Sequence, residues 1–405
     1  MANTLDGGSF KEVWSQEMRG LHPKLDVFRA VASFKEQAGL KNGDKVNLPY
    51  SGSVWSEAYT RGTAITAHDL TNANEYLTVD VQRTCMFYID DLDQLQTTYE
   101  NAVIYAKLSR EALGNFVDGD VLGEVLNADS SVDDGDLGGT DGNGIALTTT
   151  NVLKVFTKAQ LKLQELNVFN QGDYFAVISP YFENTLLEYL AGKESALGDS
   201  TGQNGHIGKF MGFDLYRSNN LTYSFDIVFT DVGVATDTLV INGITLTWIA
   251  TLGVTDGNVN VNNSAAAEAT NLYNAFNAPS TDIAEAATTG YVGIAATTLA
   301  GAWDGISATN GTSGTCHVIL SGHGKVTVTD GLTNASVTAA TNIEHEMFGK
   351  KGAVEVVIQA DSPIRTAEVS DKIGKNYIPY VLYGLKTTDR GDSELVDVQI
   401  RRDAA

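Results

Sequence analysis

Six histidines, two cysteines and fifty carboxylates are the side chains with which this 405-residue chain could do chemistry. His317 and His323 lie close to Cys316, as a metal set would begin, but a single cysteine at that spacing matches no zinc pattern. Acyl transfer calls for a serine raised on a G-x-S-x-G elbow, and Ser313 sits in NGTSGTC, one glycine out of register. The G-x-x-x-x-G-K-[ST] loop of phosphate-driven enzymes is absent from the sequence. Gly205, Gly208 and Gly212 have the wrong spacing for a dinucleotide fingerprint, and no strand directly precedes them. The acidic stretch ADSSVDDGDLGGTDGNGIAL at 128–147 invites a test for calcium. An EF-hand needs Gly at position six and Glu at position twelve. Counting from Asp129 puts Asp134 at six, and counting from Asp134 puts Ile145 at twelve, so both registers fail. This stretch reads as a mobile surface loop. The catalytic, metal and cofactor sets are empty, and the expectation is that the chain is not an enzyme.

Composition narrows the class. A formal charge of −23 argues against tight, sequence-independent grip on nucleic acid, which needs clustered Lys and Arg to neutralise phosphates. It is compatible with a wall that encloses nucleic acid without sticking to it. Cys85 and Cys316 are too few and too far apart for a disulfide framework, so a reducing compartment is the default reading. The N-terminus has no apolar stretch of signal-peptide length, and no run of about 18 apolar residues reads as a membrane span.

The elements carry more information than the would-be sites. Residues 1–45 hold seven basic and six acidic side chains, escaping the general acidity. Phe10, Val13, Trp14, Met18 and Leu21 fall at three- and four-residue spacing, one stripe of a helix that Pro23 ends. Leu25, Phe28, Val31 and Ala32 start a second stripe. Such an arm either packs on its own core or docks on a neighbouring copy. From Leu77 to Ile89 the pattern alternates with period two, which predicts one long strand of thirteen residues. Its partner lies around Val46–Tyr59, and the polar tip between them is flanked by Trp55, Tyr59 and Arg61. Asp90, Asp91 and Asp93 open a helix of about 25 residues, a rod of about 38 Å. Gly114, Gly119 and Gly123 weaken its far end.

Residues 150–221 read as α/β: a helix near Thr150, a buried strand Tyr174–Ile178, then Pro180 at the first turn of a helix that Gly192 closes. Between Thr222 and Ile343 there are nine acidic residues and one basic residue, Lys325. Short β-patterns there surround a helix, SAAAEATNLYNAFNA, and Leu239, Ile241, Ile244, Leu246 and Trp248 supply a core. This predicts a mostly β module inserted into a host domain. The chain resumes at GKKGAVEVVIQ and closes with a Tyr-rich hairpin, Tyr377–Leu385 turning at DRGD into LVDVQIRR.

In this order the segments resemble the major capsid proteins of tailed bacteriophages, the Hong Kong 97-like fold. LPYSGSVWSEAYTRGTAITAHDLTNANEYLTVDVQRTCMFYIDDLDQLQ looks like the family's extended loop running into its spine helix. FAVISPYFENTLLEYL followed by GHIGKFMGFDLYRSNNL is similar to its axial domain. KKGAVEVVIQ and YIPYVLYGLKTTDR look like return strands into the peripheral domain. The likeness covers about 280 of 405 residues; the departure is 222–343.

The resemblance implies an α+β fold: N-terminal arm 1–45, extended hairpin loop 46–89, spine helix and peripheral domain 90–149, and the first part of an axial domain 150–221. A β-rich inserted domain at 222–343 and return strands at 344–405 complete it. It implies a virion structural protein that assembles with itself into hexamers and pentamers enclosing double-stranded DNA. Scaffolding, portal and decoration proteins would be further partners, with no cofactor and no membrane. Expected intersubunit contacts are Phe10, Trp14 and Met18 on the arm and Trp55, Tyr59 and Arg61 on the hairpin. Two rivals remain: a tail or surface adhesion protein, suggested by the Thr/Asn/Gly-rich segment, and a hydrolase whose site the spacing hides.

Overall fold

A computed structural model describes residues 26–38, 43–52, 54–65, 72–96, 101–168, 173–193, 208–251, 257–261, 264–277, 305–310, 314–322, 324 and 326–402. The first of these form a short helix, α1 (Phe28–Val31), whose Val27, Phe28 and Val31 are buried against the chain's own core. Strands β1 (Lys45–Ser51) and β2 (Asn72–Thr78) pair antiparallel, Lys45 opposite Thr78 and Ser51 opposite Asn72. Strands β3 (Val81–Thr84) and β4 (Phe87–Asp90) follow, then helices α2 (Asp91–Gln96) and α3 (Asn101–Gly123).

The thirteen-residue strand expected from Leu77 to Ile89 is therefore three strands serving two sheets. β2 belongs to the hairpin, whereas β3 and β4 lie on a later strand, Gly374–Thr387. The break at Cys85–Met86 falls opposite Pro379, which has no N–H to donate and would interrupt any ladder. The Cys85 amide and the Thr84 hydroxyl both donate to the Pro379 carbonyl instead, at 3.1 and 3.0 Å.

Helix α3 is the spine, about 35 Å long at 1.5 Å per residue over its 23 residues. The helix runs unbroken through Gly114 and Gly119 to Gly123. A methyl on Gly119 would stand 2.6 Å from the Gly322 Cα, so the missing side chain is what lets a later segment cross the helix this closely. Beyond it come β5 (Ser130–Val132), α4 (Val152–Glu165), β6 (Tyr174–Ile178), α5 (Pro180–Ala191), β7 (Lys209–Phe210) and β8 (Phe213–Arg217). β6 and β8 pair in parallel with α5 crossing between them. Ser179 caps α5, its hydroxyl accepting from the Phe182 amide, and Pro180 takes the first turn, where a missing N–H costs nothing. Phe156 of α4 anchors the core beneath, with Phe182, Phe210, Phe213 and Phe348 rings 5.0–6.0 Å away.

The segment from 222 holds β9 (Thr222–Phe229), β10 (Thr238–Ile241), β11 (Ile244–Ile249), β12 (Asn258–Asn260) and α6 (Ala265–Asn277). It continues through β13 (Ile306–Asn310), β14 (Thr315–Leu320), β15 (Val328–Gly331) and β16 (Ala335–Val337). Asn242 and Gly243, with φ of 48° and 82°, make the tight turn of the β10–β11 hairpin. Its Leu239, Ile241, Leu246 and Trp248 side chains enter an apolar cluster drawn from 223–337 alone. Yet β9 is hydrogen-bonded to β17 (Ile343–Lys350), so one ten-stranded sheet runs from β13 through β14, β9, β17, β6 and β8 to β7.

The chain ends with β18 (Val354–Ala360), β19 (Ile364–Glu368), β20 (Gly374–Thr387) and β21 (Leu395–Arg401). The closing Tyr-rich hairpin does not form. β20 pairs with β18, β19, β3 and β4, whereas β21 pairs with β17 and β5 in the large sheet. β21 is buried along most of its length, as an interior strand must be, and the turn at Asp389–Gly391 carries the chain from one sheet to the other. No helix among the described residues is long and apolar enough to cross a membrane.

Candidate assembly surfaces

The hairpin is fixed at its base and open at its end. Leu77 and Val79 are buried with Val357, and Val46, Leu48 and Leu382 pack on them. Polar contacts add to the grip. Lys386 reaches Glu75 at 3.3 Å, the Asp389 amide donates to Glu75 at 3.2 Å, and Tyr50 Oη donates to Asp389 at 2.9 Å. Arg390 donates to the Ser51 carbonyl at 3.1 Å. The Asp389 carboxylate that accepts from Tyr50 raises that phenol above its ordinary range.

Past Ser51 the ladder stops. Every described residue from Val54 to Ile65 is exposed, and the turn there is held by the Thr63 amide and hydroxyl donating to the Thr60 carbonyl at 3.1 and 2.6 Å. Trp55 is 62% exposed, Tyr59 63% and Ile65 79%, with Arg61 exposed between them. These three large apolar side chains are exposed within twelve positions on this loop. Trp55, Tyr59 and Arg61 thus share one exposed segment, while Phe10, Trp14 and Met18 lie outside the described residues. A second exposed group lies around the start of the spine: Leu92, Leu95, Val103 and Ile373.

The root of the arm is held by one carboxylate. Asp118, enclosed on the spine helix, accepts from the Val27 and Phe28 amides at 2.9 and 2.8 Å. Its other oxygen accepts from Asn220 at 2.8 Å and Ser218 at 3.3 Å. Burial raises this carboxyl, opposed by those donors. A cavity of about 310 Å³ opens beside it, floored by Phe28, Leu113, Val117 and Val381 and rimmed by Asp26, Arg29, Arg110 and Asp361.

The chain also assembles a set that sequence spacing hid. Ser224 Oγ lies 2.8 Å from His345 Nε2, and His345 Nδ1 lies 2.8 Å from Asp397, the hydrogen-bond order of a hydrolytic triad. The three come from adjacent strands β9, β17 and β21, separated by 121 and 52 positions, so no local motif could announce them. Alternation along those strands was the available signal, since it sets all three on one face. The geometry carries no reaction: Ser224 is fully buried and His345 is 4% exposed, and the cavity described above is lined by none of the three. A nucleophile that no substrate can reach serves as a polar tie between strands. The acidic loop of 128–147 holds no metal cluster among the described residues.

Residues 90–258 match the phage capsid protein family. Among curated proteins none matches the sequence. The whole fold is similar to a structure from Mycobacterium phage Che8, at 14% identity over 96% of this chain and 97% of that one, with a TM-score of 0.58. This is the Hong Kong 97-like fold of tailed-phage capsid proteins. The capsid of cyanophage P-SCSP1u is similar at 13% identity, covering 98% and 94%, with a TM-score of 0.54. The capsid asymmetric unit of cyanophage Pam1 follows at 10% identity, all of both chains and 0.52.

Proposed function

We propose that the chain is the repeating structural subunit of a phage capsid, assembled as hexamers and pentamers that close an icosahedral shell around double-stranded DNA. The observation that carries this reading is the hairpin, pinned at its base and exposed from Val54 to Ile65 with its aromatic side chains in water. Coverage by a neighbouring copy turns that exposed apolar area into burial, and a closed shell repeats the gain at every symmetry-related contact. The net charge of −23 suits a wall that holds DNA without adhering to it.

Scaffolding, portal and decoration proteins are the further partners of such a subunit. The arm, with Phe10, Trp14 and Met18, crosses to an adjacent copy or serves the scaffolding contact. The 222–343 segment faces outward as a domain of its own; its separate apolar cluster supports this, and its join to the host sheet through β9 sets the limit. Electron microscopy of purified full-length protein tests the reading: shells or capsomers support it, and fibres or lone monomers at assembly concentrations refute it.

A further inference from the structure

β17 is the strand on which the 222–343 segment and the host sheet meet, and it carries three ionisable residues in a row, all buried: Glu344, His345 and Glu346. Alternation puts His345 on one face with Ser224 and Asp397, and the two glutamates on the other. The cation facing the glutamates is Arg402, with Nε 3.2 Å from Glu344 and its guanidinium 4.4 Å from the Tyr181 ring centre. Glu346 is fully enclosed. Its two oxygens meet the Ser179 amide at 2.7 Å and the Ser179 hydroxyl at 2.6 Å, at the start of α5.

Two buried carboxylates facing one guanidinium leave an uncompensated charge if both ionise, and a buried charge without a partner takes or loses a proton instead. Glu344 has the guanidinium; Glu346 meets the uncharged Ser179 amide and hydroxyl, which donate to its two oxygens and bring no compensating charge. We propose that Glu346 is a neutral acid at neutral pH, joining β17 to the capped end of α5 while Glu344 keeps the Arg402 guanidinium. Burial, then the Glu344 charge, pushes the Glu346 carboxyl well above the carboxylate range, with the Ser179 bonds and Arg402 opposing. His345 and Asp397 lie on the other face of the sheet and do not meet Glu346. The inference holds whether or not the chain builds shells.

The sign follows from linkage. A carboxyl raised in the folded state favours folding at low pH, and that contribution is lost as pH climbs from the ordinary carboxylate range through the folded-state value. The substitution Glu346→Gln keeps the size and hydrogen bonds of the neutral acid and removes the titration. Denaturant unfolding of the full-length protein from pH 5 to 9 should show the wild-type folding constant falling relative to Glu346→Gln, by up to tenfold per pH unit. A ratio that stays constant, or one that moves in favour of the wild type as pH rises, overturns the proposal. Infrared spectroscopy reads the proton directly, including in the event that Glu346→Gln does not fold. The wild type should keep a protonated-carboxyl band at pH 7.5 that disappears at higher pH, and its absence at pH 7.5 overturns the proposal.

Discussion

Two polar, glycine-containing stretches, 128–147 and the hairpin end at 54–65, look alike in sequence and are built in opposite ways. In the first, Asp133 accepts from the Asp136 and Gly142 amides at 3.2 and 2.7 Å, and Asp134 accepts from Thr140 at 3.1 Å. Ile145 is fully buried in a bridge to Ile400, and β5 joins the large sheet beside β21. The expectation of a mobile surface loop fails there because the aspartates satisfy the backbone of their own turn. In the second stretch the Thr63 amide and hydroxyl hold a turn on the Thr60 carbonyl, and the aromatic side chains face solvent. A loop that satisfies itself needs no partner, whereas a loop that displays apolar side chains has its energy left to gain.

Substitutions that should separate the two stretches run from large effects to small. Ile145→Ala should cost about 3 kcal/mol of monomer stability in denaturant unfolding, since a fully buried branched side chain is removed. Asp133→Ala should cost about 2 kcal/mol by the same measurement, because amide donors lose their acceptor inside a packed turn. A double Trp55→Ala, Tyr59→Ala variant should change monomer stability by less than about 0.5 kcal/mol, yet reduce assembly as followed by light scattering. A stability loss as large as that of Ile145→Ala would mean that the hairpin end belongs to the chain's own core. Asp392, whose carbonyl accepts from the Asp129 amide at 3.1 Å, gives an effect that appears only as the pH changes. Burial, then the Asp129 charge, lifts its carboxyl to about 6. Its contribution favours folding at low pH and is lost as pH rises from about 4 through 6. Asp392→Asn should flatten that slope, and its carboxyl resonance in the wild type should titrate near 6.

Much of the fold was legible because local chemistry and tertiary packing agree. The Ser179–Pro180 start of α5, the buried run Tyr174–Ile178 and the alternation around the Asn242–Gly243 turn each carry one structure at every level. What was illegible depended on distant partners. The alternation from Leu77 to Ile89 gave no sign that Pro379, some 290 residues on, would split it. β20 and β21 read as a hairpin because they are adjacent in sequence, but sheet membership is decided by which other strands already line each edge. The expected contacts on the hairpin lie together on one exposed segment, while the Ser224–His345–Asp397 tie is invisible to local spacing and emerges when three strands meet.

The most direct test of the account is to delete residues 56–74, rejoin the hairpin with a short turn, and compare the particles formed by this variant with those of the wild type by sedimentation velocity and electron microscopy. The account predicts a folded, soluble variant with the wild-type melting temperature that no longer closes shells. Normal shells from the deletion variant would contradict it.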